Sequence, residues 1–242
     1  MTYSRIAPTA YTVDGLRYAA VQAAGRPRGR VLLLTDPFGA PPGTAAELLD
    51  AAGSARDLAV TLLTKHPERA LAAVPASWRE AWPEHVWLGT VVECERDAEA
   101  RVPALVSVPA PVRFLVCEPA HLTEWLYDDD VPTSPEGSRA ISWVIVSGGV
   151  GPDALPFDLG RVRDLIGQCR EAGVPVLVHR LGARPVEPAE ECPAGGGCGL
   201  DECAGGCRYA RAVTRPLRLR DPEGADPAEW PPELDVREFP DL

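Results

Sequence analysis

The sequence predicts an α/β protein: a partial (β/α)6-type TIM-like barrel with a Cys-rich metal-binding C-terminal extension. Three observations predict it. Six short apolar runs recur along the chain, each followed by a helical or loop segment. No G-x-G-x-x-G motif follows any run and no P-loop is present, which removes support from the nucleotide-binding sheets. Four cysteines, Cys192, Cys198, Cys203 and Cys207, crowd into a glycine-rich stretch near the end.

The runs are RVLLLTD, LAVTLLTK, HVWLGTVVE, VRFLVCE, ISWVIVSGG and VPVLVHR. Near-continuous apolar strands that alternate with helices imply a parallel sheet covered by those helices. The helix candidates carry their own punctuation. TAAELLDAAGSA starts with Thr44 as N-cap and Glu47 three residues on, a capping-box pattern. PERALAAV opens on Pro67, a good first helical position. ERDAEARVPALVS is broken at Pro103. DLGRVRDLIGQCREAG carries Val162, Leu165, Ile166 and Cys169 at helical spacing and stops at Gly173. Residues 1–182 are expected to form the barrel; residues 1–30 hold no clear strand run and are read as one helix around Val13–Ala24 and a first barrel element. Residues 183–242 are expected to be a metal-stapled extension and a tail that packs on the barrel through Trp230, Leu234, Val236 and Phe239.

At 242 residues the chain can bury one sizeable core. The formal net charge of −11 leaves no extended basic nucleic-acid surface, since phosphate neutralisation supplies most non-specific affinity for nucleic acid. No apolar run approaches a membrane span and the first residues lack a signal-peptide core, so a cytoplasmic protein is expected. Thiols stay reduced in that compartment, which favours metal over disulfides for the cysteine cluster. The spacing C-x5-C-x4-C-x3-C suits a zinc tetrahedron or an iron–sulfur cluster such as [4Fe–4S] and does not choose between them. Cys94, Cys117 and Cys169 read as small buried hydrophobes.

Barrel enzymes work at the carboxyl ends of their strands. Here those ends carry Asp36, Lys65, Glu93, Glu118, the Ser147-Gly148-Gly149 turn, and His179-Arg180. The alternative for each is a rim residue that merely meets solvent. Lys65 is the only lysine of the chain. His66 reads as a general base or as a cap for the helix that Pro67 begins. Asp153 reads as a ligand contact or a local backbone cap. Asp128-Asp129-Asp130 reads as a solvated acidic run, and His85 and His121 fall outside the ring.

Taken in order, VLLLTDPFGAPP, TLLTKHPERA, VWLGTVVE, VRFLVCEPA, SWVIVSGGVGPDALPFDLGRVRDLIGQCREAGVPVLVHRLG and DPAEWPPELDVREFP resemble a phage and prophage family of radical S-adenosylmethionine-related proteins, distantly similar to spore photoproduct lyase. The resemblance implies a partial (β/α)6-type barrel. It would set Asp36, Glu93, Ser147, Gly148 and Gly149 around a cofactor, with Lys65, Glu118 and His179 as acid–base candidates. The departures are specific. Residues 1–93 hold no cysteine, the family's usual glutamate after the double glycine is Val150, and the last strand ends in His179-Arg180. These losses count against reductive cleavage of S-adenosylmethionine. CAGGCRYARA is similar to the auxiliary-cluster extensions that follow many radical enzyme barrels, in which four cysteines close the site. Two readings follow. One is a radical-enzyme-like protein whose iron–sulfur cluster serves the modification or repair of a small molecule or nucleobase. The other is a non-catalytic relative, stapled by zinc, that acts as a partner or scaffold for another protein. A third, minor reading is a metal-independent enzyme using Lys65 or His179 as acid or base.

Overall fold

The structure is a computed structural model and describes residues 6–7, 16, 29–33, 36–39, 42–117, 141–188 and 214–240. All six apolar runs supply strands of one parallel sheet. In chain order its strands are β1 (Ile6–Ala7), β2 (Gly29–Leu33), β3 (Leu58–Thr64), β4 (Val86–Val92), β5 (Arg113–Cys117), β6 (Trp143–Ser147) and β8 (Val176–Arg180). Their spatial order is the same as their chain order. Every crossover therefore steps the same way, and right-handed connections of one direction put the covering helices on one face of the sheet. The other face is left concave.

That convex face is packed by α1 (Pro42–Ser54), α4 (Glu95–Val106) and α5 (Leu159–Glu171); the short helices α2 (Ala70–Ala73) and α3 (Ala76–Glu80) precede β4. Leu48, Leu49, Val102, Leu105, Leu165 and Ile166 join Val60, Leu62, Leu88, Val146 and Val178 in one buried cluster. The opposite parity of the strands builds a second cluster from Ala59, Trp87, Phe114, Trp143, Ile145 and Leu177. Period-two alternation thus divides β3, β4, β5, β6 and β8 between two cores. Gly89 faces Phe114 across the β4–β5 ladder, and a Cβ there would stand 2.3 Å from the Phe114 ring. The missing side chain is what lets the ring lie flat on the concave face.

The expected TIM-like barrel with a Cys-rich metal-binding extension is corrected by this topology. The sheet curls into only half a barrel, and β1 and β8 are its two edges rather than partners. β8 is covered instead by the tail. Leu177 bridges Arg237 antiparallel, Val178 N donates to Val236 O at 2.9 Å and Glu238 N donates to Val176 O at 2.8 Å. Trp230, Leu234 and Val236 are buried in the convex core, and Phe239 packs on the concave one. A second small sheet joins β7 (Phe157–Asp158), β9 (Pro185–Pro188) and β10 (Thr214–Pro216). Arg163 of α5 ties it down, donating to both oxygens of Glu187 at 2.8 and 3.0 Å and to Glu233 of the tail at 2.7 Å. These partners push the Arg163 pKa up. The cysteine quartet lies outside the described residues. Among the described residues no group of three or more His, Cys, Asp or Glu side chains is gathered for a metal ion.

Three local expectations also change. α1 begins at Pro42, so Thr44 sits inside the first turn rather than capping it. α4 runs through Pro103 to Val106, because Ala98, Val102 and Leu105 are fully packed and outweigh the one lost backbone bond. Cys94 is exposed at the N-cap of α4, whereas Cys117 and Cys169 are buried. Burial, with Glu238 adding to it, pushes the Cys169 thiol up to about 12. No helix among the described residues is long and apolar enough to cross a membrane.

Candidate functional site

The concave face changes character along the strands. At their amino ends Trp87, Phe114 and Trp143 are buried, with Trp87 and Trp143 edge-to-face at 5.9 Å and Trp143 5.6 Å from both Phe114 and Phe239. Trp143 Nε1 donates to Glu238 O at 3.0 Å, so the tail seals this end and satisfies the indole. Further along the same face Leu63, Val91, Val116, Ser147 and His179 are only half-buried. The concave face therefore has an aromatic floor and an open mouth at the carboxyl ends of the strands.

One side of that mouth is organised by Asp36. Its Oδ1 accepts from Phe38 N and Gly39 N at 3.0 Å and from Thr64 Oγ1 at 2.6 Å, and its Oδ2 accepts from Lys65 N at 3.0 Å. Burial alone would raise this carboxyl. Donation from Thr64, then from the backbone of Lys65, Phe38 and Gly39, outweighs it and holds the pKa below 3.8. With four donors in place Asp36 is a positioning group: it fixes the end of β3 against the turn after β2. Lys65 then reaches Glu93 just past the end of β4, Nζ lying 2.9 and 2.8 Å from the two carboxylate oxygens. Glu93 is positioned in turn by Asp97, whose Oδ2 accepts from Glu93 N at 3.2 Å while Oδ1 pairs with Arg101 at 2.9 Å. Lys65 and Glu93 are each about half exposed, at 48% and 50%, so the pair can exchange partners with a ligand at little cost. His66 precedes the turn of Pro67–Arg69 without a side-chain cap, its Nδ1 3.3 Å from Glu68.

The other side of the mouth gathers Ser147, His179 and Arg180. Arg180 Nε donates to Ser147 Oγ at 3.1 Å, and Ser147 Oγ lies 3.5 Å from His179 Nδ1. Burial, then the guanidinium groups of Arg180 and Arg237, hold the His179 pKa below its ordinary 6.5. The double glycine beside Ser147 meets the chain itself. A Cβ on Gly148 would stand 2.5 Å from Leu181 O, and one on Gly182, at φ +76°, would stand 2.6 Å from Gly149 O. Gly148 N donates to Arg180 O and Ala183 N donates to Gly149 O, both at 2.9 Å. The turn's backbone is engaged by the loop after β8, and that contact is what requires glycine.

The structure thus brings Lys65 with Glu93, and Ser147 with His179, onto the mouth, and sets Asp36 behind the first pair. Glu118, His121 and Asp128–Asp130 lie outside the described residues, as do Cys192, Cys198, Cys203 and Cys207. Asp153 is exposed in the loop after β6. His85 is buried at the far end of the sheet, where its Nε2 donates to Ala52 O at 3.0 Å beside a groove of about 450 Å³ lined by Gly53, Arg56, Trp78 and Glu84. Sequence reading missed Thr64, Asp97, Glu223 and Arg237. The alternation Val236-Arg237-Glu238-Phe239 carried a signal for the last, since it places Arg237 on the same face as Phe239.

A family model described as a protein of unknown function (DUF5131) matches residues 38–219. No curated protein and no solved structure matches the chain.

Proposed function

We propose, for a chain that belongs to the DUF5131 family, a half-barrel protein that binds a small molecule of nucleobase size at the carboxyl-terminal mouth of its concave face. The observation that carries this reading is the gradient on that face, from the buried Trp87, Phe114 and Trp143 to the half-exposed Val91, Val116, Ser147 and His179. Binding sites of this kind combine an apolar wall with a few convergent polar groups. In this reading Lys65 and His179 are the groups that touch the ligand, and Glu93 tunes the lysine. The enzymatic form of the proposal adds a metal on Cys192, Cys198, Cys203 and Cys207. An iron–sulfur cluster there, when bound, would supply single electrons.

Anaerobic purification with metal analysis and visible spectroscopy tests the metal part. A brown protein whose colour is lost on Cys203→Ser is expected; colourless protein holding stoichiometric zinc overturns the cluster. Calorimetric titration with adenine, uracil and S-adenosylmethionine tests the mouth. Binding is expected for the parent chain, with at least a tenfold loss in Lys65→Ala; absence of binding to all three counts against it.

A second reading, a non-catalytic partner protein, is favoured by one feature: the polar groups on the β3–β4 side of the mouth are matched among themselves. Asp36 has four donors and Lys65 already has Glu93. Under that reading a folded Lys65→Ala, Glu118→Ala double variant keeps full biological activity, and loss of activity removes the reading.

A further inference from the structure

The two sides of the mouth differ in what they leave unmet. On the β3–β4 side the lysine faces both oxygens of one carboxylate. On the β6–β8 side three cationic or proton-donating groups converge with looser counter-charges. Arg180 Nε is a permanent donor, so at the 3.1 Å contact Ser147 Oγ is the acceptor. The serine proton is then free to point to His179 Nδ1, the one nitrogen of that ring with a hydrogen bond among the described residues. A neutral imidazole that accepts at Nδ1 carries its proton on Nε2. The β6–β8 register shifts at Val146/Ser147, and His179 is placed at the concave face by its contact with Ser147, which shares the parity of Trp143 and Ile145. The antiparallel bridge Leu177–Arg237 puts the Arg237 side chain on that face too, since bridged residues share a side.

We infer that His179, fixed as the Nε2–H tautomer through Ser147 and Arg180, forms with Arg237 an oxyanion-binding subsite, so that the ligand of the mouth carries a phosphate or carboxylate group. This rests on the reading of the mouth as a ligand site and adds the chemical class of what enters it. The charged groups acting on His179 are Arg180 on its own strand and Arg237 on the tail, and each of these has an acid beside it, Glu223 for Arg180 and Asp235 for Arg237. Among the described residues the Glu223 carboxylate meets only Arg180 Nη1, at 3.3 Å, and its side chain is 59% exposed. Among the described residues the Asp235 carboxylate meets only Arg237 Nε, at 2.8 Å, and its side chain is 46% exposed. Exposed pairs of this kind contribute little and are readily replaced, whereas a bound oxyanion would meet a fixed imidazole N–H and two guanidinium forks together. Glu238, the remaining acid of the tail strand, is turned to the convex side, where it meets Arg170 and Val176 N.

Nitrogen-15 NMR of the full chain with labelled histidine tests this directly, His179 being assigned with His179→Gln. The Nε2–H tautomer is expected, neutral below the pH at which an ordinary histidine is half protonated. Titration with inorganic phosphate in one arm and acetate in the other is expected to give a saturable shift at His179, with its protonation moved to higher pH by the bound anion; the arm that saturates names the group. His179→Ala and Arg237→Ala should each weaken that binding about tenfold or more, while His179→Gln, whose amide keeps a donor near Nε2, should stay within about threefold. An Nδ1–H tautomer, or no saturable response in either arm, overturns the subsite. If adenine or uracil still binds at the mouth when neither anion moves His179, the subsite falls and the mouth stands; if none of them binds, both fall.

Discussion

The two ends of the concave face are made of the same strands and behave as different materials. At the amino end Trp87, Phe114, Trp143 and Phe239 share ring contacts between 5.6 and 5.9 Å and exclude water. At the carboxyl end, two or four residues further along the strands, the face holds Ser147 and His179, with Lys65 and Glu93 beyond it, each with a polar partner and partial exposure. The difference teaches that the curl of the sheet is held from below. The floor can carry the stability of the concave side, which leaves the mouth free to hold charge that adds little to stability.

That division can be broken from the floor. Trp143→Ala removes a buried indole, its bond to Glu238 O and the ring that Phe239 leans on, and should cost about 3–5 kcal/mol in denaturant unfolding. A loss below about 1 kcal/mol would show that the floor is not what holds the curl. The next largest effect belongs to the glycine contact between the loops after β6 and β8. Gly182→Ala meets Gly149 O at 2.6 Å from a left-handed backbone and should cost about 1–3 kcal/mol. Asp36→Ala leaves Thr64 Oγ1 and three backbone N–H groups without their acceptor and should cost about 2 kcal/mol, read from the same unfolding curves. A cost near zero for Asp36→Ala would show that the end of β3 is held without this network.

The comparison sharpens in acid. His179 has its pKa lowered by burial and by Arg180 and Arg237, so the unfolded chain takes up this proton first. Stability should fall as pH drops below about 6.5 and level once the folded imidazole also protonates. Asp36 has its pKa lowered despite burial, by Thr64 and the backbone donors. Its contribution is full above about pH 3.8 and is lost as pH falls through the folded value. Two separate steps are therefore expected, and His179→Gln should remove only the first. The smallest effect is expected at the exposed pair. Lys65→Ala or Glu93→Ala should change stability by less than about 1 kcal/mol while the lysine variant loses ligand binding; a larger change would move the pair from the mouth to the framework.

Much of the framework was legible in the sequence, because a parallel strand buried on both faces writes a continuous apolar run. RVLLLTD, LAVTLLTK and VPVLVHR could be little else. Closure was not legible. Whether six or seven such units make a barrel or an open half depends on which strand the tail meets, and Val236-Arg237-Glu238 is too short to announce a strand partner. The expected double-glycine ligand turn illustrates the same limit. Ser147-Gly148-Gly149 shows that some backbone must approach closely, but only the positions of Leu181, Gly182 and Ala183 show that the approaching backbone is the chain's own. Lys65 was conspicuous as the sole lysine; its partner Glu93 was visible as a strand end, and the pairing needed the register that sets Thr64 beside Thr90. Arg237 escaped because its place on the concave face depends on a bridge sixty positions back, at Leu177.

That bridge has a bearing on the order of assembly. The edge of β8 is exposed backbone until the segment around Arg237 returns to it, and loop closure over some sixty residues is slow compared with pairing between neighbouring units. During that interval the newly formed sheet presents a bare strand to any other chain. Two copies caught at this stage could each lend the other its tail, and concentrated refolding is the condition in which such an exchange would be seen.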